Sequence, residues 1–205
     1  MQLTILAASG GTGRELTRQA LERGHTVIAI ARTPARIDVL DSARLTRIAA
    51  DVRDPDSMKA ALRDSEVVLS GLGVAQGDPP GTLTAGARAV TEADPERIIW
   101  LGAIGTGRSA RAGGLIVRSA FRAMRAKRDD KVAADTMVLD VGGTVFHAGP
   151  LTNGPLSPDR RTVGLDACPG RLLLAGVSRA TVAAAMLDEA ESPRYSGTIA
   201  IPLER

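Results

Sequence analysis

The chain has 205 residues, 44% of them hydrophobic and 24% charged, with one cysteine, Cys168, and two histidines, His25 and His147. Such a length suits one buried core and such a composition a soluble globular fold; a lone cysteine rules out an internal disulfide and a cysteine-rich metal site, and two histidines give no basis for structural zinc. Charge is close to balanced, 26 basic against 23 acidic residues for a net of +3, and the aromatics stop at Trp100, Phe121, Phe146 and Tyr195, so a nucleic-acid partner is not expected.

No apolar run reaches the ~18 residues of a membrane span, so no membrane association is expected. The N-terminus passes from Met1 straight into Leu3-Thr4-Ile5-Leu6-Ala7-Ala8 without a basic leader, so it does not read as a signal peptide and the expected compartment is the cytoplasm. Leu3 to Ala8 is a continuous apolar strand, followed by glycines and a helix through Glu15 to Leu21 that Gly24 stops. Val27 to Ala31 and Leu45 to Ala50 read as the second and third strands, Asp56 to Leu62 as a short helix, and Val67 to Leu69 as a fourth strand. Thr82 to Ala93 is helical, Ile98 to Leu101 is a strand, and Leu115 to Val138 is a longer helix. Thr144 to Phe146 is a strand; a Pro/Gly-rich connection, a helix from Ser178 to Ala190 and a strand from Thr198 to Ile201 complete the chain. Apolar strands alternating with helices require a parallel sheet covered on both faces. The expected fold is therefore α/β: a single doubly wound Rossmann-type domain over residues 1–205, with a mostly parallel sheet of six to seven strands. A small substrate or lid region is expected around 104–130 and 150–177. Within the longer helix Arg118, Arg122 and Arg125 fall opposite Val117, Ala120, Phe121 and Met124, giving a basic face that is either solvated or turned to an anionic substrate or partner.

The chemistry is concentrated where the first strand ends, in Ala7-Ala8-Ser9-Gly10-Gly11-Thr12-Gly13-Arg14. Glycine lets the backbone turn sharply and approach a phosphate closely, and the helix that follows offers free N–H groups and a partial positive charge to a pyrophosphate. Ser9, Gly10, Gly11, Thr12 and Gly13 are thus candidate dinucleotide contacts, although a tight structural turn also uses glycine. Arg32 follows the second strand, where a carboxylate would hold the ribose of NAD and an arginine accommodates the 2′-phosphate of NADP; a solvated arginine is the plainer alternative. NADP(H) is accordingly expected over NAD(H). Gly71-Leu72-Gly73 and Leu101-Gly102 follow the fourth and fifth strands, where open α/β sheets bind ligands, or else simply permit tight strand exits.

The stretch I-L-A-A-S-G-G-T-G-R resembles the G-A-x-G-x-T-G loop of atypical short-chain dehydrogenases/reductases, specifically the NmrA-like and biliverdin-reductase-B-like NAD(P)H-binding proteins. The resemblance continues through R-G-H-x-V at Arg23 to Val27, A-R-T-P-A-R ending at Arg36, Asp51-Val52, Gly71-Leu72-Gly73, Gly149-Pro150-Leu151-Thr152-Asn153-Gly154 and Ser178-Arg179-Ala180-Thr181-Val182-Ala183. It implies that Asp51 and Val52 contact the adenine, with Asp51 as a turn or helix-capping residue the alternative, and that Ala148 and Gly149 border the cofactor. The family's first loop glycine is Ala7 here, and its arginine and proline before Gly149 are His147 and Ala148. The Tyr-x-x-x-Lys pair of typical members is absent: Lys131 falls where that lysine would hold the nicotinamide ribose, with Lys127 four residues earlier. Lys131 reads either as that ribose contact or as an ordinary helix lysine.

His147 closes the sixth strand on the cofactor edge and is a candidate proton donor, or equally a hydrogen-bonded structural residue. His25, in the helix-to-strand connection at the opposite end of the first crossover, reads as structural or exposed, and Cys168, in a Pro/Gly loop with no adjacent base in the sequence, is assigned no nucleophilic role. Two functions follow. The first is an NAD(P)H-dependent reductase that transfers hydride to a small organic acceptor of flavin, quinone or carbonyl type, which tolerates the missing tyrosine. The second is a non-catalytic NADP(H)-binding redox sensor or regulatory protein. Either one is expected as a monomer or homodimer with a small-molecule partner.

Overall fold

The computed structural model describes residues 1–75, 77–111, 125–168 and 176–204. Strand β1 (Gln2–Leu6) leads through helix α1 (Gly11–Glu22) to β2 (Thr26–Ala31) and β3 (Leu45–Ala49). Helix α2 (Pro55–Ala61) returns the chain to β4 (Val67–Ser70), and α3 (Thr82–Glu92) connects it to β5 (Arg97–Ala103). Beyond these lie α4 (Arg125–Asp140), β6 (Thr144–Ala148), β7 (Leu151–Thr152), β8 (Arg161–Gly164), β9 (Val177–Ser178), α5 (Arg179–Glu191) and β10 (Ile199–Leu203). The main sheet has eight strands in the order β3-β2-β1-β4-β5-β6-β10-β8, all parallel except for β8, which runs antiparallel to β10; β7 and β9 form a separate two-stranded ribbon.

This is a Rossmann fold, as the alternation of strands and helices indicates, with one strand more than expected. The addition is β8, drawn from the Pro/Gly-rich connection, where Arg161 to Gly164 pair with Leu203 to Ala200. The helix expected over 115–138 is described as α4 from Arg125 onward. The side chains of the expected basic face at Arg118, Arg122 and Arg125, and part of the expected lid, lie outside the described residues.

Alternation along the strands splits the core into two layers. Leu3, Ile5 and Phe146 face α1 and α5, meeting Leu16, Ala20, Val182 and Met186. Leu6, Ile30 and Trp100 face the opposite helices, meeting Met58, Leu83, Val90 and Val138. Helix α1 turns Leu16 and Ala20 inward and leaves Arg18 outside, bonded to Glu15 and Glu22 one turn away on either side. Helix α5 is buried almost all round, wedged between sheet and α1, and accordingly reads Ala-Ala-Ala-Met-Leu through its centre. Among the described residues no helix is long and apolar enough to cross a membrane.

The functional consequence lies in strand order. From β1 the chain moves outward to β2 and β3 on one side, then crosses to β4 on the other. The connections leaving β1 and β4 diverge at this switch point, so the sheet's carboxyl edge opens into a crevice there.

Candidate cofactor site

The crevice is a cleft of about 400 Å³ lined by Leu6, Ile30, the turn from Ser9 to Thr12, and residues after β2, β3 and β4. In that turn Gly10 N donates to Ala7 O (2.9 Å) and Arg14 N donates to Gly10 O (2.8 Å), so β1 runs into α1 without slack. Ala7 takes the left-handed conformation at φ +60°, where the resembling loop has glycine. A Cβ on Gly13 would overlap the Ala7 carbonyl oxygen and lie 2.8 Å from Ala8 Cα; one on Gly71 would lie 2.9 Å from Gly13 N. These two glycines seat α1 against the ends of β1 and β4. Gly71 also borders the cleft, whereas Gly13 does not. Gly11 instead faces Arg179, whose Cδ and Nε lie 2.7 Å from where a Cβ would stand, and Gly73 has open space beside it.

The first turn of a helix leaves N–H groups without intrahelical partners. At α2 the Asp54 carboxylate accepts from Asp56 N and Ser57 N, and at α5 the Ser178 hydroxyl accepts from Thr181 N. At α3 the N-cap is Gly81, and Asp130 of α4 reaches across to accept from Leu83 N (3.2 Å), Thr84 N (2.9 Å) and Thr84 Oγ1 (2.6 Å). Helix α1 differs from all three. Its N-cap is Gly10, its first turn holds no acid, and among the described residues no side chain accepts from it. The bare N-terminus opens on the cleft through Gly11 and Thr12, a built anion site.

On the β2 side the cleft is lined by Arg32, Asp51, Val52, Arg53 and Asp78. Arg32 Nη1 lies 3.0 Å from Asp78 Oδ1; the arginine side chain is 60% exposed and that of the aspartate 9%. Asp78 Oδ2 accepts from Ala75 N at 2.8 Å. That backbone N–H, together with the Arg32 guanidinium, holds the Asp78 carboxyl below the usual carboxylate range against the effect of its burial. Asp51 accepts from Arg53 N (3.0 Å) and so shapes its own turn while lining the cleft. Arg53 donates to Pro80 O across the cleft mouth.

On the β5 side the lining is Leu72, Gly73, Leu101 and Leu151, with Arg179 crossing toward the α1 turn. Arg179 Nη1 donates to Asn153 Oδ1 at 2.6 Å. Gly102 lies under the sheet-end ring of His147, whose Cδ2 is 2.7 Å from a Cβ placed there; Gly102, buried Ala148 and half-buried Gly149 stand outside the lining. His147 is 1% exposed. Its Nδ1 lies 2.7 Å from Ser109 Oγ and its Nε2 3.1 Å from Asp135 Oδ2, so both ring nitrogens are engaged inside the protein. Lys131, one turn before Asp135, also stands outside the lining; burial pushes its ammonium below the ordinary lysine range against the pull of Asp135 and Asp130. Thus Ser9 to Thr12, Arg32, Asp51, Val52, Gly71 to Gly73 and Leu101 come together around one cleft, and His147 and Lys131 do not join them. Among the described residues no cluster of His, Cys, Asp and Glu could hold a metal ion.

Residues 7–193, which include all of the cleft's lining except Leu6, match the family model described as NAD(P)H-binding. The chain belongs to the NAD(P)H-binding family. This family member is similar over 132 residues, at 23% identity, to the photosystem II assembly factor Ycf39 of Synechocystis; that match takes in 64% of the chain and spans about a third (36%) of the relative's length. Among solved structures it resembles ChuY, an anaerobilin reductase of Escherichia coli O157:H7, with TM-score 0.79, 21% identity, and coverage of 100% of this chain and 97% of that one. It also resembles a short-chain dehydrogenase/reductase of Veillonella parvula DSM 2008 solved in complex with NADP, with TM-score 0.77, 20% identity, and coverage of 99% and 94%. At these identities the likeness establishes the fold.

Arg53, Asp78 and Arg179 line the cleft of this NAD(P)H-binding protein without having been assigned a role from sequence. Arg179 carried a signal, since it opens the Ser178-to-Ala183 helix motif. Asp78 sits in a Gly/Pro turn 46 residues from Arg32, and no spacing rule links the two.

Proposed function

We propose that the cleft binds NADP(H) and that the protein is a reductase that delivers hydride to a small organic acceptor. The observation that carries this reading is the uncapped α1 N-terminus, which opens on the cleft at the switch point of the sheet. The N–H groups of Gly11 and Thr12 bind the pyrophosphate, and Arg179 adds a guanidinium beside Gly11. Arg32 takes the 2′-phosphate, for which a planar fork of donors is suited. Leu72, Leu101 and Leu151 form an apolar wall that excludes water where the nicotinamide would rest. The cofactor, when bound, supplies the hydride, and the chain supplies orientation and electrostatics.

Among the described residues, the titratable side chains lining the cleft are Arg32, Asp51, Arg53, Asp78 and Arg179, all on the β2 and α1 sides. With no acid on the leucine-lined side, the reading favours flavin- or quinone-type acceptors, which can take their proton from solvent, over carbonyl acceptors. The same observation favours a second reading, a redox sensor that binds NADP(H) without turnover. Oxidation of NADPH by the purified protein with flavins, quinones and aldehydes separates the two: sustained turnover with a flavin or quinone is expected. Tight NADPH binding without turnover would establish the sensor, and absence of dinucleotide binding would overturn both.

A further inference from the structure

Arg32 and Arg53 border one side of the cleft, and the carboxylate of Asp78 stands with them. It receives the Ala75 N–H at 2.8 Å and pairs with Arg32 at 3.0 Å, while Arg53 adds further electrostatic stabilisation of the same charge. A backbone donor and a guanidinium in contact with one carboxylate constitute an anion seat filled by the protein's own side chain. We infer that Asp78 is a specificity-determining residue, an internal competitor that a 2′-phosphate must displace from Arg32 before NADP can engage it. The inference rests on the dinucleotide reading of the cleft and deepens it.

The chemistry separates the two cofactors. A 2′-phosphate carries roughly −1.5 to −2 charge and three acceptor oxygens, against the single charge of a carboxylate, so it outcompetes Asp78 for the arginine. The gain is reduced by the broken Asp78–Arg32 pair and by repulsion between Asp78 and the incoming phosphate. A ribose 2′-hydroxyl carries no charge, leaves the pair intact and is indifferent to Asp78. The ratio of NADP to NAD affinity is therefore set by an acid distant in sequence, while Arg32 remains the recognition group.

Asp78→Asn tests this cleanly, because the amide oxygen still accepts from Ala75 N and the turn survives while the charge goes. Asp78→Ser is a second variant, with a hydroxyl able to accept the same bond. Calorimetric titration of the full chain with NADP and with NAD is the measurement, alongside circular dichroism to confirm folding. Both variants are expected to bind NADP about 3- to 10-fold more tightly, given the modest worth of an exposed ion pair, and NAD within about twofold of wild type. In an Arg32→Ala background the part of the Asp78→Asn gain that comes from freeing the arginine is expected to vanish, leaving only the relief of direct repulsion between Asp78 and the phosphate. Equal changes for the two cofactors, or unchanged NADP affinity in a folded variant, would overturn the inference while leaving the dinucleotide reading in place. A wild-type protein that binds neither cofactor would overturn the dinucleotide reading itself, and this inference with it.

Discussion

Gly73 lines the cleft and Gly13 stands behind it in the turn after β1, and the structure assigns them opposite sensitivities. In Gly13→Ala the three atoms nearest the new methyl are all backbone: it would overlap the Ala7 carbonyl oxygen and lie 2.8 Å from Ala7 C and Ala8 Cα. No flexible side chain can yield, so α1 has to back away from β1, loosening Gly71 from Gly13 as it goes. Overpacking of this kind costs about 1–3 kcal/mol, and the better helix propensity of alanine returns at most about 1 kcal/mol. A net loss of about 1–2 kcal/mol lowers Tm by about 2–8 °C in a chain of this size. NADP and NAD affinity should fall together, because the turn that both share is displaced. In Gly73→Ala nothing lies within 4 Å of the methyl, so Tm should stay within about 1–2 °C of wild type, the shift expected of a substitution worth under ~0.5 kcal/mol. Its added bulk narrows the cleft and weakens the dinucleotide alone. Thermal melts and titrations with both cofactors on the two variants read out the contrast. A Gly13→Ala protein with wild-type Tm, or a Gly73→Ala protein destabilised as much as Gly13→Ala, would refute the assignment of the first glycine to packing and the second to the ligand.

Asp130→Ala strips the start of α3 of its acceptor and leaves one buried and one half-buried N–H unpaired, an expected loss of about 2–3 kcal/mol seen in urea unfolding, with Asp130→Asn intermediate. His147→Ala leaves Asp135, whose Oδ1 already has no partner among the described residues, without its remaining contact; a loss of about 3 kcal/mol is expected, while the pH profile of any turnover stays that of wild type. Glu204 is held below the usual carboxylate range because hydrogen bonds from Thr181 and Ser178 outweigh its burial. Its folded pKa lies below its unfolded one, so its contribution is present at neutral pH and is lost as acidification passes through the folded value. Glu204→Gln should accordingly flatten the acid limb of a Tm-against-pH curve, and an unchanged limb would place the acid sensitivity elsewhere.

The alternation of strands and helices was legible because each element carries its own local pattern: an apolar run in β1 and β6, an inward Leu16–Ala20 stripe in α1, an Asp54-Pro55 start in α2. Strand β8 was not, because Arg161-Thr162-Val163-Gly164 has no strand signature and is held by antiparallel pairing with β10, which Pro202 also interrupts in pattern. The turn after β1 was legible from glycine spacing, but two uses of glycine look alike in sequence: Gly13 admits a neighbouring backbone, and no residue letter tells that from admitting a phosphate. Arg32 could be read from its place after β2, whereas its partner could not, because the loop after β4 folds back across the cleft only in three dimensions. The same holds for His147, whose neighbours Asp135 and Ser109 lie 12 and 38 residues away on separate elements. A histidine at a strand end suggests chemistry; its burial, set by α4 and the turn after β5, keeps it out of the cleft lining.

The two outer strands of the sheet bear on how copies of this chain can meet. Strand β3 at one edge is five residues long with Arg47 at its centre, and that guanidinium is turned back to Asp41 and the Val39 carbonyl. Strand β8 at the other edge is four residues long, opens with Arg161, and runs against the grain of the rest of the sheet. Short, arginine-bearing margins are poor templates for adding another strand, since they offer few backbone hydrogen bonds and present charge beside them. Contact between copies across the helical flanks, rather than along either sheet margin, is the geometry that these two strands leave open.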